Sequence, residues 1–161
     1  MEYRTGLGWD VHRTSPDRAL ILGGVRIPAD FGLAGHSDAD ILLHAVTDAV
    51  LGAAALGDIG MHFPDSDPKW KGAESAQFLA HAVGLIEELD FQLVNVDTTV
   101  ILERPKLKDF RLAIRERLAA IVRLPLDRVS VKFKTAESVG PVGEGRSAEA
   151  QAIVTIRRGD G

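Results

Sequence analysis

The run ILLHAVTDAVLGAAAL at residues 41–56 constrains the fold more than any other segment, because it is apolar on nearly every face. A helix that is apolar all round must be covered on all sides, so it belongs at the centre of a packed domain. The sequence predicts that this helix begins after Asp38 or Asp40 and stops at Gly57.

The segments around this helix show strand or helix periodicity. Strands are expected at Tyr3–Val11, Ala19–Ile27 (interrupted by Gly23-Gly24), Val94–Leu102, Val129–Thr135 and Ala150–Ile156. Amphipathic helices are expected at Ser75–Leu89 and Leu107–Ile121. This mixture predicts an α+β fold, a four-stranded mixed sheet with helices packed on one face in a ferredoxin-like arrangement. The other face of such an apolar sheet needs a cover, and a second copy of the protein is the expected one.

Length and composition limit the class of protein. With 161 residues, 45% of them hydrophobic, the chain is expected to form a single domain spanning residues 1–161. Cysteine is absent, so any metal must be held by His, Asp or Glu. The sequence lacks a long apolar stretch or a secretion signal, which predicts a cytoplasmic protein without membrane contact. A pI of about 5.7 argues against nucleic acid as a partner.

Acidic residues are concentrated in the first part of the chain. Residues 1–67 hold nine Asp and one Glu against four Arg. These Asp residues stand singly among apolar residues and glycines, a pattern that favours carboxylates placed for a purpose over a disordered acidic run.

Three of these positions suggest a metal site. Asp10 and His12 are two apart in an expected strand and therefore project from the same face, while His44 lies on the buried helix. Each alone fits a structural role, as a hydrogen-bonded pair or a satisfied core histidine. One carboxylate with two imidazoles also suffices for a catalytic Zn²⁺ that keeps its fourth position open. Asp40 and Asp48 lie one turn before and after His44, and Asp48 is predicted to orient that ring or a neighbouring group.

The entrance to the buried helix could bind phosphate. A helix N-terminus offers free N–H groups and the positive end of the dipole. Ser37 or Asp38 could simply cap the helix. His36 precedes the cap and is predicted to donate a hydrogen bond to a bound phosphate.

Two further segments are ambiguous on spacing alone. The loop between Asp58 and Asp67 reads either as a solvated turn or as a site that binds a polyol and positions a second cation. Lys134, Thr135 and Glu137 follow the end of a basic strand, where a lone glutamate is ordinarily a surface residue.

Motifs along the chain occur in an order that is highly specific. They are GLGWDVHR at 6–13, ILGGVRIP at 21–28, GHSDADILLHAVTDAVLGAAALGDIG at 35–60, HFPDSDP at 62–68, NVDTTVILERPKL at 95–107 and FKTAE at 133–137. Together they closely resemble the 2-C-methyl-D-erythritol 2,4-cyclodiphosphate synthases, a family of the non-mevalonate isoprenoid pathway. The resemblance implies a lyase that cyclises a cytidine diphosphate-linked methylerythritol 2-phosphate and releases CMP.

The resemblance also implies roles for residues of the first half of the chain. Asp10, His12 and His44 are implied to hold zinc, with Asp10 and His12 also among the substrate contacts, and His36 and Ser37 are implied to contact phosphate. The methylerythritol part is implied to contact Asp58, Ile59, Gly60, Phe63, Pro64, Asp65, Ser66 and Asp67.

The second half is implied to bind the nucleotide. The contacts carried over are Leu102, Pro105, Lys106, Lys108, Lys134, Thr135, Ala136 and Glu137. Glu137 is implied to hold a second divalent cation, Mg²⁺ or Mn²⁺, and His36 and Thr135 are implied to stabilise the transition state. The family implies a homotrimer whose sheets face the interior and whose active sites lie between subunits.

The sequence departs from many relatives near this nucleotide segment. Where they read TTTE, this chain has Lys134, Thr135, Ala136 and Glu137. The following loop, Gly140–Gly145, is two residues shorter than the common GFTGRGEG and lacks its arginine, for which Arg146 is the expected substitute in contacting substrate. Two alternatives remain at this point, a metal-dependent phosphohydrolase using the same site and a nucleotide sensor without catalysis.

Overall fold

The computed structural model describes residues 1–159, and its strands and helices form an α+β fold. The strands are β1 (Glu2–Ser15), β2 (Leu20–Leu22), β3 (Val25–Ile27), β4 (Gly32–Leu33), β5 (Gln92–Ile101), β6 (Val129–Lys134) and β7 (Ser147–Arg158). The helices are α1 (Ile41–Ala53), α2 (Ile59–His62), α3 (Ser75–Glu88), α4 (Arg111–Val122) and α5 (Gly140–Gly143). Short 3₁₀ turns occupy Pro68–Trp70, Lys108–Phe110 and Leu126–Arg128. None of these helices within residues 1–159 is long and apolar enough to cross a membrane.

The main sheet has five strands in the order β4-β1-β7-β5-β6. β5 and β6 are parallel, whereas β1, β7 and β5 pair antiparallel. The α+β prediction is confirmed, but the predicted count of four strands was wrong by one. Gly32 and Leu33 pair with the end of β1, and so short a strand shows no alternation that a sequence could reveal. The expected strand at Ala19–Ile27 instead forms the separate β2–β3 hairpin.

Helix α1 is the centre of the core, as its composition predicts. Within it only His44, Asp48 and Gly52 are not buried, and these positions repeat every four residues along one stripe. Two glycines of β1 allow α1 to lie this close. A Cβ on Gly8 would stand 1.8 Å from the Ala45 carbonyl oxygen, so no other residue fits there without displacing the helix.

Asp40 fixes the start of α1. It is fully buried and caps the helix by accepting a hydrogen bond from Leu43 N at 3.1 Å. Its two carboxylate oxygens also accept from Gly23 N at 3.0 Å and Gly24 N at 2.6 Å, which ties the β2–β3 turn to the helix. Burial nevertheless raises the pKa of Asp40 to about 6. Of the two expected starting points, Asp40 is therefore the cap.

Element ends differ from expectation by a few residues. α1 ends at Ala53 instead of reaching Leu56, because Ala55 adopts a left-handed backbone with φ 59°. β1 and β7 run on to polar residues whose backbones still pair, as Arg13 does with Ser147.

One face of the main sheet carries exposed side chains. The large apolar ones are Tyr3, Leu7, Trp9, Val11 and Ile153. Leu7 is 69% exposed, far more than a sheet residue that packs against its own chain. We call this the outward face, since the helices α1, α3 and α4 pack against the strands from the other side.

Candidate active site

Asp10, His12 and His44 converge between β1 and α1. Alternation along β1 turns Asp10 and His12 toward the helix, where His44 begins the stripe that is not buried. Asp10 Oδ2 lies 3.0 Å from His44 Nδ1 and 3.2 Å from His12 Nδ1. One donor atom of each residue lies within 4.8 Å of the others. We call these residues the donor group; their number and type could hold a divalent metal.

The charges of the donor group compensate one another. Burial alone raises the pKa of Asp10, but the adjacent His12 and His44 imidazoles outweigh it, and the pKa falls below its usual value. Burial alone lowers the pKa of His44, but Asp10 raises it above the usual value. His12 Nδ1 is buried and makes no well-aligned hydrogen bond. A site where ring nitrogens crowd a carboxylate in this way fits a bound cation.

The far side of the His44 ring is held by α3. Nε2 lies 2.8 Å from the hydroxyl of Ser75 and 3.2 Å from that of Ser37. The Ser75 side chain is buried and donates a hydrogen bond to Asp38. Sequence reasoning did not single out Ser75, because a serine at a helix start usually has a local role.

A cavity of about 340 Å³ opens beside the donor group. We call it the first cavity; it is lined by His12, Gly35, His36, Ser37, His44, Ile59, Gly60, Phe63, Pro64, Asp65, Trp70 and Phe78. Phe63 stacks on Phe78 with ring centroids 4.4 Å apart, and Trp70 meets both rings edge-on. One end of the cavity is therefore polar and the other aromatic. Trp70 and Phe78 were missed as site residues, because helical period assigns Phe78 to the core.

Two of the expected contacts in this loop, Asp58 and Asp67, have local structural roles. Asp58 caps α2 by accepting from Met61 N at 3.0 Å, and Asp67 caps the following turn by accepting from Lys69 N at 2.9 Å. Neither lines the first cavity, and Ser66 does not line it either. Within this loop the cavity is formed by the residues between the two caps.

His36 and Asp48 support the cavity in different ways. His36 Nε2 is buried and has no hydrogen-bond partner among residues 1–159, so it is available to a ligand. Asp48 accepts a hydrogen bond from Ile59 N at 2.7 Å and so anchors α2 to α1. Burial raises the pKa of Asp48, although the Ile59 N–H works against that rise. Of the two roles predicted for Asp48, orienting a neighbouring group is the one this hydrogen bond serves.

A second cavity, of about 360 Å³, lies at the end of β6. Its lining consists of Leu102, Pro105, Lys106, Leu107, Lys108, Arg111, Phe133, Lys134 and Thr135. Four of these side chains are cationic, which favours an anionic ligand. Arg111 and Phe133 were not predicted; the Arg111 guanidinium lies 5.3 Å from the centre of the Phe133 ring. Ala136 and Glu137 do not line this cavity.

Residues 135–138 form a strained loop at the rim of the second cavity. Glu137 and Ser138 both have positive φ, 51° and 61°, which is costly for residues other than glycine. The Glu103 carboxylate accepts hydrogen bonds from Ala136 N at 3.0 Å and Ser138 N at 3.2 Å. The Thr135 hydroxyl donates to Glu137 Oε1 at 3.1 Å. Glu103 thus holds the loop, a role that only the folded backbone reveals.

The two cavities of one chain are separate. They share no lining residue, and Glu137 is not part of the donor group. Arg146 lines neither of them. Its guanidinium pairs with Glu144 at 2.6 Å and lies in another cavity with Trp9 and Arg13.

Comparison with known proteins places these features in a family. A model of the YgbB family matches residues 3–157. The 2-C-methyl-D-erythritol 2,4-cyclodiphosphate synthase of Solibacter usitatus (strain Ellin6076) is 70% identical over 157 residues, covering 98% of this chain and 99% of that protein.

Solved structures agree with the sequence match. The bifunctional IspDF from Campylobacter jejuni has a TM-score of 0.94 and 42% identity, covering 99% of this chain and 43% of that one. A 2C-methyl-D-erythritol-2,4-cyclodiphosphate synthase in a CDP-bound form has a TM-score of 0.89 and 41% identity. The match covers 96% of this chain and 100% of that one. The chain therefore belongs to the YgbB family, whose matched relatives include 2-C-methyl-D-erythritol 2,4-cyclodiphosphate synthases.

Proposed function

We propose that this protein is a zinc-dependent 2-C-methyl-D-erythritol 2,4-cyclodiphosphate synthase of the non-mevalonate isoprenoid pathway. It converts 4-diphosphocytidyl-2-C-methyl-D-erythritol 2-phosphate to the cyclic diphosphate and CMP. The observation that carries the proposal is the convergence of Asp10, His12 and His44 at a cavity, in a chain 70% identical to a synthase of that name.

Substrate binding is divided between the two cavities. The methylerythritol part lies in the first cavity against Ile59, Gly60, Phe63, Pro64 and Asp65. Asp58 and Asp67 shape that loop, which also contains Ser66. The 2-phosphate is contacted by His36 and Ser37. Cytidine and its diphosphate occupy the second cavity and its rim, Leu102, Pro105, Lys106, Lys108, Lys134, Thr135, Ala136 and Glu137. The cations of that cavity and the CDP-bound form of a similar synthase support this placement.

The reaction needs alignment more than base catalysis. An oxygen of the 2-phosphate attacks the β-phosphorus, a new P–O bond forms, and the bond to the CMP oxygen breaks. A phosphate monoester has a second pKa of about 6, so near neutral pH the attacking oxygen is already largely ionised. His36 and Thr135 donate hydrogen bonds to the charge that develops on the transferred group. Zinc on Asp10, His12 and His44 would polarise that group, and Mg²⁺ or Mn²⁺ at Glu137 would neutralise the diphosphate.

We further propose a cytoplasmic homotrimer. In it, the face of each main sheet that carries Leu7 and Trp9 would point toward the centre of the trimer. The exposed apolar side chains of that face support it, since Leu7 and Trp9 are 69% and 53% exposed in one chain. The separation of the two cavities supports it as well, because a substrate that spans both needs the second cavity of a neighbouring subunit beside the first. Light scattering is expected to give three times the chain mass of 17.3 kDa, and a monomer would contradict the trimer.

Product analysis tests the activity. With zinc and Mg²⁺, ³¹P NMR is expected to show the cyclic diphosphate and CMP forming in equal amounts. A linear phosphate product would instead indicate a phosphohydrolase. Tight CMP binding without turnover would indicate a sensor. Removal of metal by a chelator is expected to abolish turnover, and added Zn²⁺ to restore it.

A further inference from the structure

Ser75 stands directly behind the metal-facing His44 although it is not a metal donor. Its side chain is fully buried at the first residue of α3, and its hydroxyl oxygen lies 2.8 Å from His44 Nε2. The contact joins α3 to α1 through the imidazole ring.

The direction of this hydrogen bond follows from the other bonds that Ser75 makes. The single hydroxyl proton of Ser75 is donated to Asp38 Oδ1. Ser75 N also donates to Asp38 Oδ2 at 3.0 Å, and Asp40 N donates to Asp38 Oδ1 at 3.2 Å, so the carboxylate is fixed as an acceptor. The bond between Ser75 Oγ and His44 Nε2 must therefore be formed with a proton on Nε2.

A neutral imidazole carries one proton, so a proton on Nε2 leaves a lone pair on Nδ1. That lone pair faces Asp10 Oδ2 at 3.0 Å. Two acceptors at this distance repel each other unless a positive charge, either a second proton on the ring or a metal ion, lies between them. The arrangement suits a metal ion coordinated by both atoms.

We propose that Asp38 and Ser75 are positioning residues that hold His44 as the Nε2–H tautomer and present its Nδ1 to the metal. The inference rests on the metal centre of the proposed function and extends it beyond the ligands. With the proton on His44 Nε2, the hydroxyl proton of Ser37 is not needed for the contact with His44. The Ser37 oxygen accepts from Ala39 N at 3.3 Å and faces Nε2–H at 3.2 Å, so its own proton can be donated to a phosphate.

Metal affinity in the Ser75→Ala variant tests the proposal without reference to turnover. Loss of a partner behind a metal-ligating histidine typically weakens binding about 10- to 100-fold, and we expect a loss in that range for Zn²⁺ in competition with a chromophoric chelator. In the Zn²⁺-bound protein, ¹⁵N NMR is expected to show His44 with its proton on Nε2 only. The variant is expected to show both tautomers.

Asp38→Asn provides a second variant, because its amide oxygen still accepts from the Ser75 hydroxyl while the second acceptor is lost. We expect a smaller loss of Zn²⁺ affinity than in Ser75→Ala. Thr47→Val is the matched control; Thr47 is fully buried on the same helix, and its hydroxyl donates to Leu43 O at 2.7 Å instead of to a metal ligand. Its Zn²⁺ affinity should equal that of the wild type.

Wild-type affinity in both Ser75→Ala and Asp38→Asn would overturn the inference and leave the metal centre standing. A mixture of His44 tautomers in the Zn²⁺-bound wild type would also overturn it. Absence of Zn²⁺ binding by the wild type would overturn the proposed metal centre itself, and the inference with it. If Ser75→Ala does not fold, the affinity and NMR spectrum of Asp38→Asn decide the matter.

Discussion

The donor group and the loop at residues 135–138 are held in place by different means. Asp10 and His12 belong to a strand paired along its whole length, and His44 belongs to a helix that is buried on every other side. The loop has left-handed backbone at Glu137 and is held by the side chain of Glu103. The donor group, where we propose the metal, is thus part of the core of one chain, whereas the loop proposed to contact the nucleotide depends on a few polar contacts.

Because the two regions are held differently, we expect substitutions in them to change different properties of the protein. Changes in the packing of β1 against α1 should affect stability and metal affinity together. Changes around the loop should affect substrate affinity while leaving the metal in place. The predictions below test that separation, beginning with the largest expected effect.

Gly8→Ala should disturb the core and the donor group together. The added Cβ would stand 1.8 Å from the Ala45 carbonyl oxygen, so α1 must move away from β1 and carry His44 away from Asp10. We expect a loss of about 4 kcal/mol or more in unfolding free energy, measured with denaturant, and weaker Zn²⁺ binding. Gly52→Ala is the matched control on α1, where a Cβ meets nothing within 4 Å. It should be neutral or stabilising. Wild-type stability in Gly8→Ala would contradict the close packing.

His44→Ala should remove metal-dependent chemistry but leave the assembly intact. Losing the Lewis acid is expected to lower the rate of CMP release by roughly a thousandfold. The oligomer should survive, because His44 lies under the sheet and not on the outward face. Bound metal and size by light scattering are the accompanying measurements. His81→Ala, which changes an exposed histidine outside the donor group, should bind Zn²⁺ normally. Normal turnover in His44→Ala would refute its role as a ligand.

Asp40→Asn tests the anchoring of α1 through its pH dependence. Burial raises the pKa of Asp40 from 3.8 to about 6. The stability that Asp40 contributes is therefore fully present below pH 3.8 and is lost as pH rises through about 6. An asparagine does not titrate, so the advantage of wild type over variant should shrink by about 3 kcal/mol between pH 4 and pH 7. Denaturant unfolding across this range measures it, and a constant difference would show that the carboxylate stays charged.

Glu103→Ala should affect the loop alone. Without the carboxylate, Ala136 N and Ser138 N lose their acceptor and the left-handed backbone loses its support. We expect KM for the substrate to rise about tenfold, equivalent to about one hydrogen bond to a charged group. Zn²⁺ affinity should not change. Glu103→Gln keeps one acceptor oxygen and should fall between wild type and Glu103→Ala. A parallel loss of Zn²⁺ affinity would show that the two regions are coupled.

Sequence periodicity predicted the core and the shared direction of Asp10 and His12, whereas the choice of a metal-binding role over a structural one came from the resemblance to the synthase family. The all-apolar run and the spacing of Asp10 and His12 predict which faces meet, because strand and helix periods fix side-chain direction. His44 and Asp48 lie four residues apart on α1. In the structure these two residues and Gly52 are the part of the helix that the core does not bury.

Contacts that depend on tertiary placement were not predictable. Ser75 meets His44 across 31 residues and Glu103 meets Ser138 across 35, and neither pair has a local pattern. Phe78 carries the period of a core residue and also lines the first cavity. The two-residue strand β4 was also not predictable from the sequence, because it is defined only by its pairing with the end of β1.

The ladder between β1 and β7 has a consequence for how this domain can be joined to others. Glu2 lies opposite Arg158 at one end of the ladder, and Arg13 lies opposite Ser147 at the other. At about 3.4 Å per residue, the ends of the ladder are roughly 37 Å apart. A second catalytic unit fused before Glu2 or after Arg158 would therefore attach at the end of the ladder remote from Asp10 and His12. The matched part of the bifunctional Campylobacter jejuni protein, 43% of its length, occurs within such a chain.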